Sequence, residues 1–273
     1  MLQVTPPTKA TVPFLKWAGG KRWLADRHLD LFPHFSGKYI EPFLGSGSVF
    51  FRLRPKDALL SDANAMLIEC YQQIRDNFQS VETLLQEHQE RHGKEHYYSV
   101  RAAFFEEPCQ RAAQFLYLNR TCWNGLYRVN KNGKFNVPIG TKTSVLLPSD
   151  DFAASALALR GVSLAHSDFE RAIEKAGPGD LVYADPPYTV QHNYNGFLKY
   201  NETIFSWADQ VRLRKAVEQA SRRGARIVVS NAAHESLLKL YDGLGTIHIV
   251  NRASVLAASS ARRGTVEEIL VVV

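Results

Sequence analysis

Three short apolar runs in this chain end the same way, on an acid that opens a turn. Tyr39-Ile40 meets Glu41-Pro42, Leu59-Leu60-Ser61 meets Asp62, and Leu181-Val182-Tyr183-Ala184 meets Asp185-Pro186-Pro187-Tyr188. Runs of this length bounded by turn residues read as buried strands. A carboxylate at the end of a buried strand costs free energy unless a partner meets it, and two successive prolines remove two backbone donors and stop the strand. Helical patterns separate the runs. Strands are expected over Lys38–Glu41, Ala58–Ser61, Val162–Ala165, Leu181–Ala184 and Arg226–Val229, and helices over Ala63–Arg75, Phe169–Ala176, Trp207–Arg222 and His234–Tyr241. This alternation predicts an α/β fold, a parallel sheet with helices on both faces. Thr246–Val250 and Glu268–Val273 are joined by a polar, basic stretch rather than a clear helix. They are expected to pair antiparallel at the end of the sheet.

The rhythm stops in the middle of the chain. From residue 72 to residue 147 the sequence is charged and aromatic, with helical patterns over Val81–His92, Tyr97–Phe105 and Gln110–Asn119. These give way to RTCWNGLYRVNKNGKFNVPIG, a block of aromatics, Asn-Gly turns and basic residues. A smaller, mainly helical domain over 72–147 is therefore expected inside a sheet domain formed by 1–71 and 148–273. A length of 273 residues accommodates that arrangement. The formal charge of +6 favours a polyanionic partner without establishing one. Three cysteines, Cys70, Cys109 and Cys122, with no C-x-x-C pair, argue against a disulfide framework or a structural zinc site. No signal-peptide or membrane-length apolar run is evident, and a cytoplasmic protein is expected.

Four motifs carry chemistry. In YIEPFLGSGSVFF (39–51), Gly45 and Gly47 follow the first strand and permit a tight turn and close backbone approach to a ligand. The spacing is not G-x-G-x-x-G, because Phe50 stands at the third glycine position. Asp62, at the end of the second strand, suits the hydroxyls of a ribose, or equally the N-terminus of the next helix. FLKWAGGKRWL (14–24) resembles a P-loop but lacks its first glycine and its Ser/Thr, which excludes that reading. Trp17 beside flexible backbone and Lys21 suits a planar ligand with a carboxylate, or a buried turn. In the fourth motif Asp185 and the Pro186 carbonyl present two acceptors, Pro187 stiffens the turn, and Tyr188 offers a flat face. That set fits a planar group bearing an amino nitrogen, such as a nucleobase. Its plain alternative is an Asp-Pro turn.

Taken in order, these motifs resemble the Dam-like family of DNA adenine-N6 methyltransferases. Lys-Trp-Ala-Gly-Gly-Lys comes first, then Glu-Pro-Phe-x-Gly-x-Gly, then an inserted recognition domain, then Asp-Pro-Pro-Tyr. FLYLNRTCWNGLYRVNKNGKFNVPIG (115–140) is similar to the family's target-recognition block, and NRASVLAASSARRGTVEEILVV to its C-terminal hairpin region. The resemblance spans nearly the whole chain from Phe14. It implies a Rossmann-like sheet that binds S-adenosyl-L-methionine (AdoMet), with double-stranded DNA as partner. AdoMet would meet Trp17, Lys21, Glu41, Phe43, Gly45, Gly47, Asp62, Asp168 and Asp185. Asp185, Pro186, Pro187 and Tyr188 would form the catalytic loop. The DNA interface would include Lys16, Arg120, Trp123, Asn124, Leu126, Arg128, Asn130 and Pro138, with Arg128 reading a guanine bidentately and Trp123 in place of the usual inserting Tyr or Phe. The basic residues Arg120, Arg128, Lys131, Lys134 and Lys142 also fit an ordinary solvated face.

The resemblance further implies methylation of a flipped adenine, in GATC for most members carrying this block. Restriction-modification is one setting for such an enzyme. No metal is expected, because a sulfonium is already an activated methyl donor, and neither an obligate protein partner nor more than a monomer is expected. Two rival readings stay open on sequence alone. One is an amino-methyltransferase acting on cytosine N4 or RNA. The other is a DNA-binding protein that has lost catalysis.

Overall fold

The computed structural model describes residues 11–130, 133–190, 205–253 and 265–273. They fall into two compact units, each made of three pieces of chain. One comprises Asp26–Leu44, Pro55–Ala63 and Ala165–Val273; the other comprises Met1–Ala25, Gly45–Arg54 and Asn64–Leu164.

The first unit carries the sheet. Its strands are β1 (Tyr39–Glu41), β2 (Ala58–Asp62), β3 (Ser163–His166, entering this unit at Ala165), β4 (Leu181–Ala184), β5 (Arg226–Ala232), β6 (Thr246–Ala253) and β7 (Thr265–Val272). They lie in the order β3-β2-β1-β4-β5-β7-β6. β1 pairs parallel with β2 and β4, and β4 parallel with β5. β7 runs antiparallel to both β5 and β6, as the polar, basic sequence joining the last two strands leads one to expect. Both late strands are longer than the sequence pattern indicated. The chain between them, like Lys131 of the basic block, lies outside the described residues.

Alternation along the strands builds the core. Ile40, Val182, Ala184, Ile227, Val229, Ile269 and Val271 share one apolar cluster with Leu213, Val217 and Ala220 of the helix Trp207–Arg222. That helix starts on a capping box, in which the Ser206 hydroxyl accepts from the Asp209 amide and the Asp209 carboxylate accepts from the Ser206 amide. Phe169–Ile173 starts on Asp168, whose side chain accepts from the Glu170 amide.

The second unit is helical. The expected helices over Ala63–Arg75 and Val81–His92 appear as one element, Ala65–Arg91, broken at Asn77 (φ −142°, ψ 34°). Asn77 leaves helical geometry there and donates from Nδ2 to Gln73 Oε1 at 2.9 Å. Pro108–Thr121 opens with proline at its first turn, where the absent N–H has no helical partner to lose. It buries Phe115, Leu116 and Tyr117. The helix Phe152–Leu159 was not anticipated: its segment FAASALAL is apolar nearly all round and shows no clear stripe. Asp151 caps it, accepting from the Ala154 amide at 2.8 Å.

Candidate active site

Strand order in the sheet reverses between β1 and β4, since β2 and β3 follow toward one edge and β5 toward the other. In open α/β sheets ligands sit beyond the carboxyl ends of the strands at such a reversal. β1 ends there on Glu41, and β4 ends on Ala184, which puts Asp185 next. Two of the three acids noticed in the sequence therefore flank the switch point.

The Asp185 carboxylate is held from below. Ser230 Oγ, fully buried on β5, donates to Asp185 Oδ1 at 2.8 Å and lies 3.1 Å from the Tyr183 hydroxyl. Burial, then the charge of Asp185, keep the Tyr183 hydroxyl far above the ordinary tyrosine range, so it remains a proton donor. Three residues on, the Tyr188 hydroxyl donates to Glu268 Oε2. Burial, the Asp185 charge and the Glu268 charge hold this hydroxyl protonated too. Glu268 is 2% exposed on β7 and pairs with Arg252 of β6. The loop then closes on Thr189, whose hydroxyl donates to the Phe205 carbonyl at 2.6 Å.

Glu41 is buried and accepts from the Tyr39 hydroxyl at 2.8 Å. Phe43 stacks on Phe169 at 5.4 Å and meets Phe205 edge-on at 5.5 Å, which fixes its ring at the rim of the core. Asp62 closes β2, and its backbone carbonyl accepts from the Ser167 amide at 3.1 Å. The cap of the next helix is Asn64, which accepts from the Leu67 amide, so Asp62 is not that helix's cap. Asp168 does serve as a cap, and the same Oδ1 meets Arg212 Nη2 at 3.1 Å.

In the helical unit, Trp17 stacks against both Phe115 (6.1 Å) and Tyr127 (5.5 Å), which are themselves 5.2 Å apart. Gly45 has a left-handed φ of +46°, and a Cβ there would lie 2.8 Å from Trp17 Cδ1. Both facts exclude a side chain. Gly47 is left-handed as well and precedes the short helix Ser48–Leu53. Lys21 is buried and donates to the Gly19 carbonyl at 2.6 Å.

The block after the helix Pro108–Thr121 is a small irregular hairpin. Cys122 bridges Ile139, and Val129 bridges Phe135, each antiparallel. Asn124 takes a left-handed turn between Trp123 and Gly125. Trp123 is 52% exposed, and its amide donates to the carbonyl of exposed Pro138. Leu126 is half-buried. Arg128 is exposed, with Nε held by Asn136 Oδ1 at 2.9 Å, which steadies the guanidinium. Asn130 organises the turn, accepting from the Lys134 amide at 3.0 Å. Lys16 is pinned through its backbone to Asn119 in both directions, at 3.2 and 2.8 Å. A hydrogen bond with Lys142, then burial, then the Lys142 charge bring its pKa down to about 8.

Arg120 departs from its expected place at a DNA interface. It is 4% exposed, pairs bidentately with Asp150 at 2.6 and 2.8 Å, and donates to the Val145 and Phe14 carbonyls. Hydrogen bonds from both Nη1 and Nη2 run into the unit and Nε is buried as well, so it is a structural residue of the helical unit.

The sequence profile of the D12 class N6 adenine-specific DNA methyltransferases matches residues 17–255. The chain belongs to this family. It is 35% identical over 268 residues to the type II methyltransferase M1.LlaDCHI of Lactococcus lactis subsp. cremoris, covering 95% of this chain and 94% of the relative. It is 33% identical to the type II methyltransferase M.MjaIII of Methanocaldococcus jannaschii, covering 95% and 98%. It is also 33% identical to a DNA adenine methylase of Serratia marcescens, covering 94% and 96%. The D12-class chain is thus a DNA adenine-N6 methyltransferase, and its mixed seven-stranded sheet agrees with the methyltransferase fold. Among its described residues, no helix is long and apolar enough to cross a membrane.

Three residues that steady the expected site residues of this D12-class chain, each within its own unit, escaped the motif reading. Ser230 and Glu268 lie in strands far along the chain, and Tyr127 reaches Trp17 only through folding. The signal for Glu268 was visible as an acid against the run Ile269-Leu270-Val271.

Proposed function

We propose that the enzyme transfers a methyl group from AdoMet to N6 of an adenine flipped out of duplex DNA, within GATC. The observation that carries this reading is the loop Asp185–Tyr188 at the sheet's switch point, with its acid tied to Ser230 and its aromatic hydroxyl tied to Glu268. The residues present fit AdoMet. In the helical unit Gly45 bares the backbone beside the Trp17 indole, and in the sheet unit buried Glu41 supplies an acceptor at the end of β1. Trp17, Lys21, Glu41, Phe43, Gly45, Gly47, Asp62, Asp168 and Asp185 would hold it. When bound, it supplies a methyl group on a sulfonium that needs no further activation.

The chain's own work lies in preparing the amino group, whose lone pair is delocalised into the adenine ring. Flipping the base costs a few kcal/mol, and exposed Trp123 entering the vacated stack offsets part of that. The adenine stacks on Tyr188. The Asp185 carboxylate and the Pro186 carbonyl accept the two N–H bonds, which concentrates the lone pair on nitrogen and aims it. Because Ser230 fixes Oδ1, the plane of the Asp185 carboxylate is set before the base arrives, so little reorganisation remains for the reaction. Asp185 orients the amino group and receives the proton lost from nitrogen.

DNA is met by Lys16, Trp123, Asn124, Leu126, Arg128, Asn130 and Pro138. Two features support that reading. Lys16 and Lys142 form a like-charge pair that a phosphate would relieve, and Arg128 Nε is already braced by Asn136. The choice of GATC rests on the resemblance of the block 115–140.

The test uses labelled AdoMet and two duplexes, one with GATC and one with the site scrambled, followed by digestion to nucleosides. N6-methyladenine only from the GATC duplex, lost with Asp185→Ala and no longer confined to GATC with Arg128→Ala, is the expected result. Equal labelling of both duplexes refutes the GATC assignment. Label on cytosine refutes the adenine-N6 reading.

A further inference from the structure

Glu268 stands in the wrong company for a surface acid. On β7 it is followed by Ile269, Leu270 and Val271, all fully buried, and is itself 2% exposed. β7 lies between β5 and β6, so both its edges are covered. Taking a carboxylate out of water there carries a large penalty unless it is well met. Arg252 Nε meets it from β6, diagonally across the ladder in which Val250 faces Glu268 and Arg252 faces Val266. A buried ion pair is a poor source of stability, because two apolar residues of similar volume serve a sheet as well or better. The third member of the group gives the charge its purpose. Tyr188, 80 positions away in sequence, donates its hydroxyl to the other carboxylate oxygen.

We infer that Glu268 is a positioning residue for methyl transfer: it accepts the Tyr188 hydroxyl and so fixes the plane of the ring on which the adenine stacks. The inference rests on the stacking role proposed above for Tyr188. Arg252, bonded to the first oxygen, leaves Oε2 directed at the tyrosine. Without that bond the ring turns about its last torsion, which is broad and two-fold for aromatic side chains. Each arriving base must then order it again. The hydroxyl is held as a donor, its proton kept on by burial and by the negative charges of Asp185 and Glu268, so the bond keeps one sense throughout the neutral range. Tyr188 and Asp185 are thereby anchored through different strands, β7 for the ring and β5 for the acid.

The test is single-turnover methylation of unmethylated plasmid DNA, with N6-methyladenine measured after digestion, AdoMet affinity by calorimetry and melting temperature for each variant. Plasmid DNA makes the result independent of the target sequence. Tyr188→Phe and Glu268→Leu should each lower the rate by about three- to tenfold. The double variant should fall no further than either alone, because both remove one bond. Glu268→Gln, which keeps an acceptor, should recover most of the rate, and AdoMet affinity should stay within twofold in all of them. A Tyr188→Phe enzyme at the wild-type rate, or additive losses in the double variant, overturns the inference even if Glu268→Leu destabilises the fold. Tyr188→Ala separates the two readings. Full activity in it removes the stacking role itself, whereas its inactivity beside a fully active Tyr188→Phe refutes only the part assigned to Glu268.

Discussion

Removing the Asp150 carboxylate should destabilise the helical unit heavily and leave the salt dependence of duplex binding unchanged. The Arg120 and Asp150 side chains are 3% and 9% exposed, and two bonds of 2.6 and 2.8 Å join them. Asp150 Oδ2 also accepts from the Leu147 amide at 2.8 Å. In Asp150→Ala the guanidinium stays buried with only the Val145 and Phe14 carbonyls to meet it. Breaking a buried pair on one side costs about 3–5 kcal/mol, most of it the penalty of the stranded charge. For a chain of this size that corresponds to a fall of roughly 10 °C in melting temperature. Removing both partners, as in Arg120→Met with Asp150→Leu, should recover much of the loss, since no charge is then left unpaired. Urea unfolding followed by circular dichroism measures the energies. The salt dependence of duplex binding measures the other half of the claim. Were Arg120 on a phosphate, the double variant would lower the slope of log K against log salt by about 0.9. The expected slope is unchanged. A cost below about 1 kcal/mol for Asp150→Ala, or a slope lowered by that amount, refutes the structural assignment of Arg120.

Three further outcomes follow from the geometry. Ser230→Ala removes the donor to Asp185 Oδ1; a hydrogen bond to a charged group is worth about 1.5–3 kcal/mol, so single-turnover methylation should slow roughly 10- to 150-fold, with AdoMet affinity unchanged by calorimetry. Gly45→Ala places a Cβ 2.8 Å from Trp17 Cδ1 at φ +46°, which adds about 1–2 kcal/mol of backbone strain and displaces the indole; AdoMet affinity should fall more than the melting temperature, and affinity within twofold of wild type would exclude a role for this turn in the cofactor site. His88, brought down to about 4 by burial and then by the charges of His96 and Arg91, stacks on Tyr117 at 4.8 Å. The unfolded chain, with a histidine pKa near 6.5, takes the proton first, so stability is whole above that value and is lost as pH falls from there through about 4. His88→Phe should flatten this acid branch of the melting-temperature profile, and an unchanged profile would exclude His88 as its source.

Much of the sheet was legible because its strands alternate with helices and end on punctuating residues. The runs before Glu41, Asp62 and Asp185 became β1, β2 and β4 within a residue of their expected ends. The antiparallel ending was legible for the same reason, since the stretch between the last two strands lacks a helical pattern. The helix Phe152–Leu159 was not legible, because an apolar, alanine-rich run has no stripe to reveal its period. Asn77 was half legible: its two flanking helices were expected, but their fusion into one kinked element was not.

What the linear order of residues determined by itself was the class of chemistry: an acid, two prolines and an aromatic in four adjacent positions stay side by side however the rest of the chain folds. Folding alone decided what holds them. Arg120 carries the charge expected of a DNA contact, yet packing turned it inward onto Asp150. Ser230 and Glu268 stand 45 and 80 positions from the residues they steady. Local composition encodes which groups can react, because covalent neighbours stay neighbours. The groups that fix their orientation are brought up by strand pairing, and no spacing along the chain records which strands will lie side by side.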